Sequence, residues 1–199
     1  MRVAGQVRAF RPDPVPESTI SRVLEHARFA PNGGNRQGWR VIVVTDPERR
    51  RALRDVHRAR HRAYVAGTSK HEHGDALGEH LDEIPVHLLV LVDLTALSIL
   101  DESLPRPSIV GGASIYPFVQ NILLALRNEE LGGAITTLVV GAEPELKAMF
   151  EIPEQYAVAA LVLCGWPRNR LPTHLARHPV ASFATRESFA GPALDEPSA

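Results

Sequence analysis

The segment Pro31-Asn32-Gly33-Gly34-Asn35-Arg36-Gln37-Gly38-Trp39 holds more chemistry than a plain connection needs. It lies between helix-like sequence ending near Ala30 and the β-branched run Val41-Ile42-Val43-Val44. Helix-to-strand connections usually take about 2 to 6 residues. Gly33 and Gly34 lack a Cβ, so a ligand can approach their main chain and bond its N–H groups. Asn32, Asn35 and Gln37 each carry donors and acceptors in one side chain. A heterocycle with alternating C=O and N–H groups needs that mixture. The same residues also suit a helix C-terminus followed by a turn, and composition alone leaves both readings open.

Other candidates are weaker. Thr136 and Thr137 offer adjacent hydroxyls at a strand, one of which could meet a ligand, although ordinary β-propensity explains them equally well. Arg168, Arg170 and Arg177, with His174 and His178, form a basic tail that could grip a phosphate, since the arginine fork suits bidentate contact; it could equally be a solvated charged tail. His57 and His61 stand four apart on a predicted helix, and His71 and His73 follow. Metal sites use such spacing, but Arg58, Arg60 and Arg62 crowd this pair with positive charge, so no metal site is expected. Cys164 sits in the apolar run Ala159 to Cys164 and reads as a buried, inert thiol. No Gly-x-Gly-x-x-Gly, Walker loop or Gly-x-Ser-x-Gly occurs. With no evident nucleophile or acid–base pair, the pattern suits a bound cofactor that carries the chemistry.

These residues need a scaffold. The 199 residues suggest a single domain, 1–199, with excursions at about 66–83 and 95–112 and an extended tail from about 167. A net charge of -1 gives no field for nucleic acid or an anionic membrane. The apolar runs are too short to span a bilayer, the first residues lack a signal-peptide core, and one cysteine fits a reducing cytoplasm. Periodicity predicts a helix from Pro16 to Pro31, a buried strand at Val41–Val44 and a helix from Asp46-Pro47-Glu48. A mobile stretch at 66–83 and a central strand at Val86–Val92 come next. Ser114 reads as the N-cap of a long apolar helix that reaches about Glu130 and is ended by Gly132-Gly133. Strands at Ala134–Val140 and Val158–Trp166 flank a short helix, Pro144–Phe150. The order is that of an α+β or α/β chain.

Four segments, in order across nearly the whole chain, resemble the nitroreductase-like FMN-dependent oxidoreductases. Arg8-Ala9-Phe10 with Pro12-Asp13-Pro14 is similar to that family's N-terminal motif. Ala30-Pro31-Asn32-Gly33-Gly34-Asn35-Arg36-Gln37-Gly38-Trp39 is similar to its Ala-Pro-Ser-x-x-Asn-x-Gln-Pro-Trp. Gly112-Ala113-Ser114 leading to Gln120-Asn121-Ile122-Leu123-Leu124-Ala125 and Leu131-Gly132 resembles its central helix, and Arg177-His178-Pro179 its Arg-x-Pro.

The resemblance implies an α+β fold, with a mixed central sheet flanked by helices in an intertwined homodimer, and FMN at the interface. It implies that Arg8 lies near the flavin N1/O2 edge, and that Pro31, Asn32, Gly33, Asn35 and Gln37 approach FMN, partly from the partner subunit. Ser114 would face the flavin, Thr136, Thr137 and Leu138 would pass its N5 side, and Arg177 would bind phosphate. The implied reaction is ping-pong hydride transfer from NAD(P)H to a nitroaromatic, quinone or similar small acceptor. A non-catalytic flavin-binding or storage protein is the alternative. The chain departs from the family pattern at Ala4-Gly5-Gln6-Val7, where members carry phosphate-gripping residues. It departs again at His174, often arginine, and at Gly38, a proline in the family, which predicts a looser loop.

Overall fold

The computed structural model describes residues 4–67, 76–171 and 173–194. Four strands form one sheet in the order β1-β2-β4-β3, with β1 at Trp39–Val44, β2 at Val86–Asp93, β3 at Gly132–Thr136 and β4 at Tyr156–Gly165. Five α-helices accompany them: α1 Glu17–Ala27, α2 Pro47–Ala66, α3 Ala76–Glu79, α4 Tyr116–Asn128 and α5 Glu143–Phe150. The class is α+β as expected. Among the described residues, however, all three strand pairings are antiparallel rather than mixed. The reason is topological. β2 and β3, joined through α4, run in the same direction, but β4 lies between them and pairs antiparallel with both.

Alternation along the strands divides the core into two layers. Leu88, Val90 and Val92 of β2, with Ala160, Val162 and Cys164 of β4, pack against Ile20 and Val23 of α1 and Phe118, Ile122 and Leu126 of α4. Leu89, Leu91, Leu161 and Leu163 face the other way, onto Leu53 and Val56 of α2 and Leu146 of α5. Each fully buried side chain of this kind contributes about 1.5–3 kcal/mol. β2 is buried on both faces, as its sequence predicts. The β-branched run of β1 predicts burial too, but β1 is an edge strand, with Arg40 in solvent and Val43 43% exposed.

Several boundaries differ from those the sequence predicts, each for a local reason. α1 stops at Ala27, because Pro31 disfavours helical geometry at Ala30 and the last turn unwinds before it. Asp46 caps α2 as expected, its carboxylate accepting from the Arg49 N–H at 2.9 Å. Ser114 does not cap α4; it closes a preceding turn, Gly111–Ser114, and bonds elsewhere. α4 ends without glycine: Glu130 takes φ 59°, and the Leu131 N–H reaches the Leu126 carbonyl at 2.9 Å. Gly132 and Gly133 are thereby released to open β3, so the strand starts before Ala134 and is over by Thr136. A short 3-10 helix, Leu138–Ala142, takes up the rest of the expected strand.

The described parts of the two excursions are tied into the fold. Leu81 is fully buried, and Arg50 donates to the carbonyls of Asp82 and Ile84 at 2.8 Å each. Residues 68–75, including His71 and His73, lie outside the described residues. In the second excursion, buried Asp101 accepts from the Ile109 N–H at 2.9 Å and from Ser108 and Arg106 at 2.7 Å. Those bonds, the Ile109 N–H foremost, hold its carboxyl well below the usual range. Among the described residues, no helix is long and apolar enough to cross a membrane.

His87 of β2 is fully buried and donates through Nε2 to the Leu81 carbonyl at 2.9 Å. Desolvation lowers its pKa to about 4. The unfolded chain therefore binds the proton more readily, and stability falls as pH drops from about 6.5 towards 4, by at most about 1.4 kcal/mol per pH unit. Denaturant titrations across that range should show a shallower acid loss for His87→Leu than for the native protein; equal slopes would refute this assignment.

Candidate functional site

The loop from Asn32 to Gly38 is tied at every turn. The Asn32 side chain is committed to the loop itself: its Oδ1 accepts from the Gln37 N–H at 2.9 Å and its Nδ2 donates to the Ala30 carbonyl at 3.2 Å. Gly33 donates its N–H to Ser114 Oγ at 3.0 Å, across to the segment that precedes α4. Arg36 reaches Ser98 Oγ at 3.2 Å. Trp39, where the loop becomes β1, stacks on Phe118 of α4, with centroids 4.7 Å apart and planes 2° apart.

Within this frame Gly34, Asn35 and Gln37 all adopt positive φ, at 63°, 52° and 52°. Glycine takes that conformation freely and asparagine tolerates it, but glutamine does so at a cost of about 1–3 kcal/mol. Such strain persists where the surroundings over-determine it. The result is that Asn35 and Gln37 stand exposed, beside the main chain of Gly33 and Gly34. Asn32 bonds within the loop through both side-chain atoms, Gln37 Nε2 donates a longer bond of 3.5 Å to the Asn35 carbonyl, and Pro31 is exposed at the loop's entrance.

The remaining predicted residues fall into separate groups within one chain. Thr136 is buried, its hydroxyl 3.2 Å from His57 Nε2 and accepting from the Leu138 N–H at 3.3 Å. It thus shapes the turn at which Thr137 is exposed and Leu138 half-buried. Thr137 and Leu138 line a cleft of about 540 Å³ with Arg60, Tyr64, Tyr116 and Gly141. Tyr116 also lines a second cleft with Gly112 and Ala113, so it joins the Ser114 segment to the Thr137 turn. Arg8 is exposed and lines a third, smaller cleft with Arg168 and Phe10. Arg177 stands on the tail, where its guanidinium donates to the neighbouring Ala176 carbonyl at 2.7 Å. The structure therefore unites the loop with Ser114, and Thr137 with Leu138; among the described residues no hydrogen bond links Arg8 or Arg177 to either.

Sequence reasoning missed Ser98 and the Arg60–Tyr64–Tyr116 wall, and weighed His57 only as a metal ligand. A signal existed for part of this: Leu53, His57, Arg60 and Tyr64 recur at helical spacing on α2 and pass from core to cleft along one face. Cys164 behaves as expected, with burial pushing its thiol up to about 12. Among the described residues, no group of three or more His, Cys, Asp and Glu is placed to hold a metal ion.

Gly38 corrects an expectation. Its glycine does not loosen the loop. A Cβ at this position would come 2.5 Å from the Ala96 Cβ, and the Gly38 carbonyl accepts from the Asp93 N–H at 2.7 Å. Close backbone approach is the requirement here. Gly38→Ala should lower stability by about 1–3 kcal/mol through overpacking; a variant as stable as the native chain in thermal unfolding would contradict that packing.

Comparison with known proteins agrees with this geometry. The nitroreductase family profile matches residues 6–166. The chain is 30% identical to a Thermus thermophilus NADH dehydrogenase, over 84% of this chain and 85% of that one. It is 31% identical to a 5,6-dimethylbenzimidazole synthase of Rhodospirillum rubrum, over 83% and 79% of the two chains. A crystal structure of oxidised iodotyrosine deiodinase bound to FMN and 3-iodo-L-tyrosine superposes with a TM-score of 0.70 at 21% identity, over 90% of this chain and 94% of that one. The Asn-x-x-Asn-x-Gln loop, the Ser114 segment and the antiparallel sheet with its flanking helices thus sit in a chain that belongs to the nitroreductase family.

Proposed function

We propose that the chain is a flavoprotein oxidoreductase that binds FMN and takes its electrons from NAD(P)H. The observation that carries this reading is the strained loop at 33–37, fixed to Ser114 and displaying two exposed amide side chains beside bare main chain. When bound, FMN supplies a centre that accepts hydride from NAD(P)H and passes two electrons, with protons, to a nitroaromatic, quinone or similar small acceptor. Gly33, Gly34, Asn35 and Gln37 would hold the polar edge of the ring, which needs donors and acceptors in alternation. Thr137 and Leu138 would border its reactive edge, and Ser114 would fix the loop against it.

The charges of Arg8, Arg168, Arg170 and Arg177 fit the phosphate and the anionic reduced ring. Among the described residues none of the four is in a salt bridge. A donor near developing negative charge lowers the barrier most when it is already in place. Because no hydrogen bond among the described residues ties Arg8 or Arg177 to the loop, a second copy would complete the site. Phe29, Ile109, Phe183 and Phe189 are each more than 70% exposed and supply apolar surface for such a homodimer. NADH and NADPH are both accommodated in this reading, and the ping-pong order follows from one shared pocket.

One observation favours a second reading, a non-catalytic flavin-binding or storage protein. Ala4, Gly5, Gln6 and Val7 line a small cleft with Leu123 and Arg127 and bring neither cation nor hydroxyl to it. Steady-state kinetics separates the two. The enzyme reading predicts NAD(P)H consumption that depends on both FMN and an added nitroaromatic or quinone; flavin binding without turnover by either reductant would favour the storage reading. Charge-assisted bonds contribute about 1.5–3 kcal/mol each. Arg177→Ala should therefore weaken FMN binding about 10- to 100-fold in a fluorescence-quenching titration, and unchanged affinity would remove Arg177 from the site.

A further inference from the structure

We infer that the cleft beside Thr137 and Leu138 selects aromatic acceptors that carry an anionic group, with Arg60 as the residue that holds the anion. This rests on the flavin reading above, which places reduction at that same edge.

Arg60 lines the cleft wall and, although exposed, rests its guanidinium against the chain. Its guanidinium lies against Gly141 so closely that a Cβ there would come 2.7 Å from both Cζ and Nε. A glycine at 141 is what lets the planar group pack flat on the chain. The charge is uncompensated: Arg60 has no salt bridge among the described residues, and no aspartate or glutamate occurs between Val56 and Gly67. Arg58 and Arg62 on the same turns add to the positive field. Tyr64 and Tyr116 share the cleft and are 52% and 46% exposed, so two aromatic surfaces stand beside the cation without a ring to cover them.

The alternative is that Arg60 is one more solvated cation of a basic helix. Against it stands the packing on Gly141, which costs side-chain freedom that a solvated arginine keeps. The combination specifies a ligand. A guanidinium edge takes a carboxylate in two parallel bonds, tyrosine rings take a flat ring by offset or edge contact, and about 540 Å³ is the size of a small-molecule site. Carboxylated nitroarenes or carboxylated quinones match on all three counts; neutral analogues lose the charge contact alone.

The FMN-loaded protein, oxidised and without reductant, should be titrated calorimetrically with 4-nitrobenzoate and with 4-nitrobenzamide, which differ little except in charge. We expect the anion to bind at least about tenfold more tightly, and raised salt to narrow the gap. Arg60→Gln should abolish the preference while leaving the benzamide affinity unchanged, and Arg60→Lys should restore part of it. In turnover the preference should appear in KM more than in kcat. Equal affinities in the native protein, or a preference that survives in Arg60→Gln, overturns the inference. Should Arg60→Gln fail to fold, the native comparison alone decides. Failure of the flavin reading looks different: no FMN-dependent reduction of either compound, whatever their affinities.

Discussion

The stacking of Trp39 on Phe118 is the contact on which the site depends. It joins the first residue of an edge strand to the central helix with two rings almost parallel. It fixes where the loop ends, and buried Ala27 and Ala30 anchor where it begins. Between those fixed ends the loop has little freedom. The Gly33–Ser114 bond, the Asn32–Gln37 bond and the approach of Gly38 to Ala96 remove what remains. Positive φ at Asn35 and Gln37 is the consequence: the ends are set by packing, and the middle takes the conformation left to it.

That arrangement suits a protein whose residues position chemistry rather than perform it. Among the described residues, the buried groups Cys164, His87 and His57 are occupied or quenched. Cys164 is held as a thiol by burial, His87 is held neutral in the core, and His57 is spent on Thr136. What the surface offers instead is amides, bare main chain and uncompensated arginines. Groups of that kind suit a polar heterocycle with a phosphate, which is the site proposed above. The family assignment and the local chemistry therefore reach the same kind of function from different observations.

Much of this is legible in the sequence. Helices and strands with strong period, such as β2 and α2, stand where periodicity puts them. The loop at 31–39 stands out through its amides and glycines alone. What is not legible has physical causes. The C-terminus of α4 is closed by a glutamate in the left-handed region, so the Gly-Gly pair misleads about where β3 begins. Gly38 looks like slack and is a close contact, a property of Ala96 from another segment. Asn32 is expected at the ligand, and its type alone does not reveal that it also braces the loop through the Gln37 N–H and the Ala30 carbonyl. Ser114 looks like a helix cap and serves the loop. The burial of Leu81 within a polar stretch depends on tertiary contacts with α2 that no local pattern carries.

The central claim is that the tied loop and the surrounding cations exist to hold a redox-active flavin. The most direct test is the visible absorption spectrum of the pure protein supplied with FMN, recorded anaerobically before and after NADPH or NADH. The account predicts a flavin spectrum that stays with the protein through gel filtration and bleaches when the nicotinamide is added. A protein that emerges colourless after incubation with FMN, or one whose bound flavin neither reductant bleaches, would contradict it.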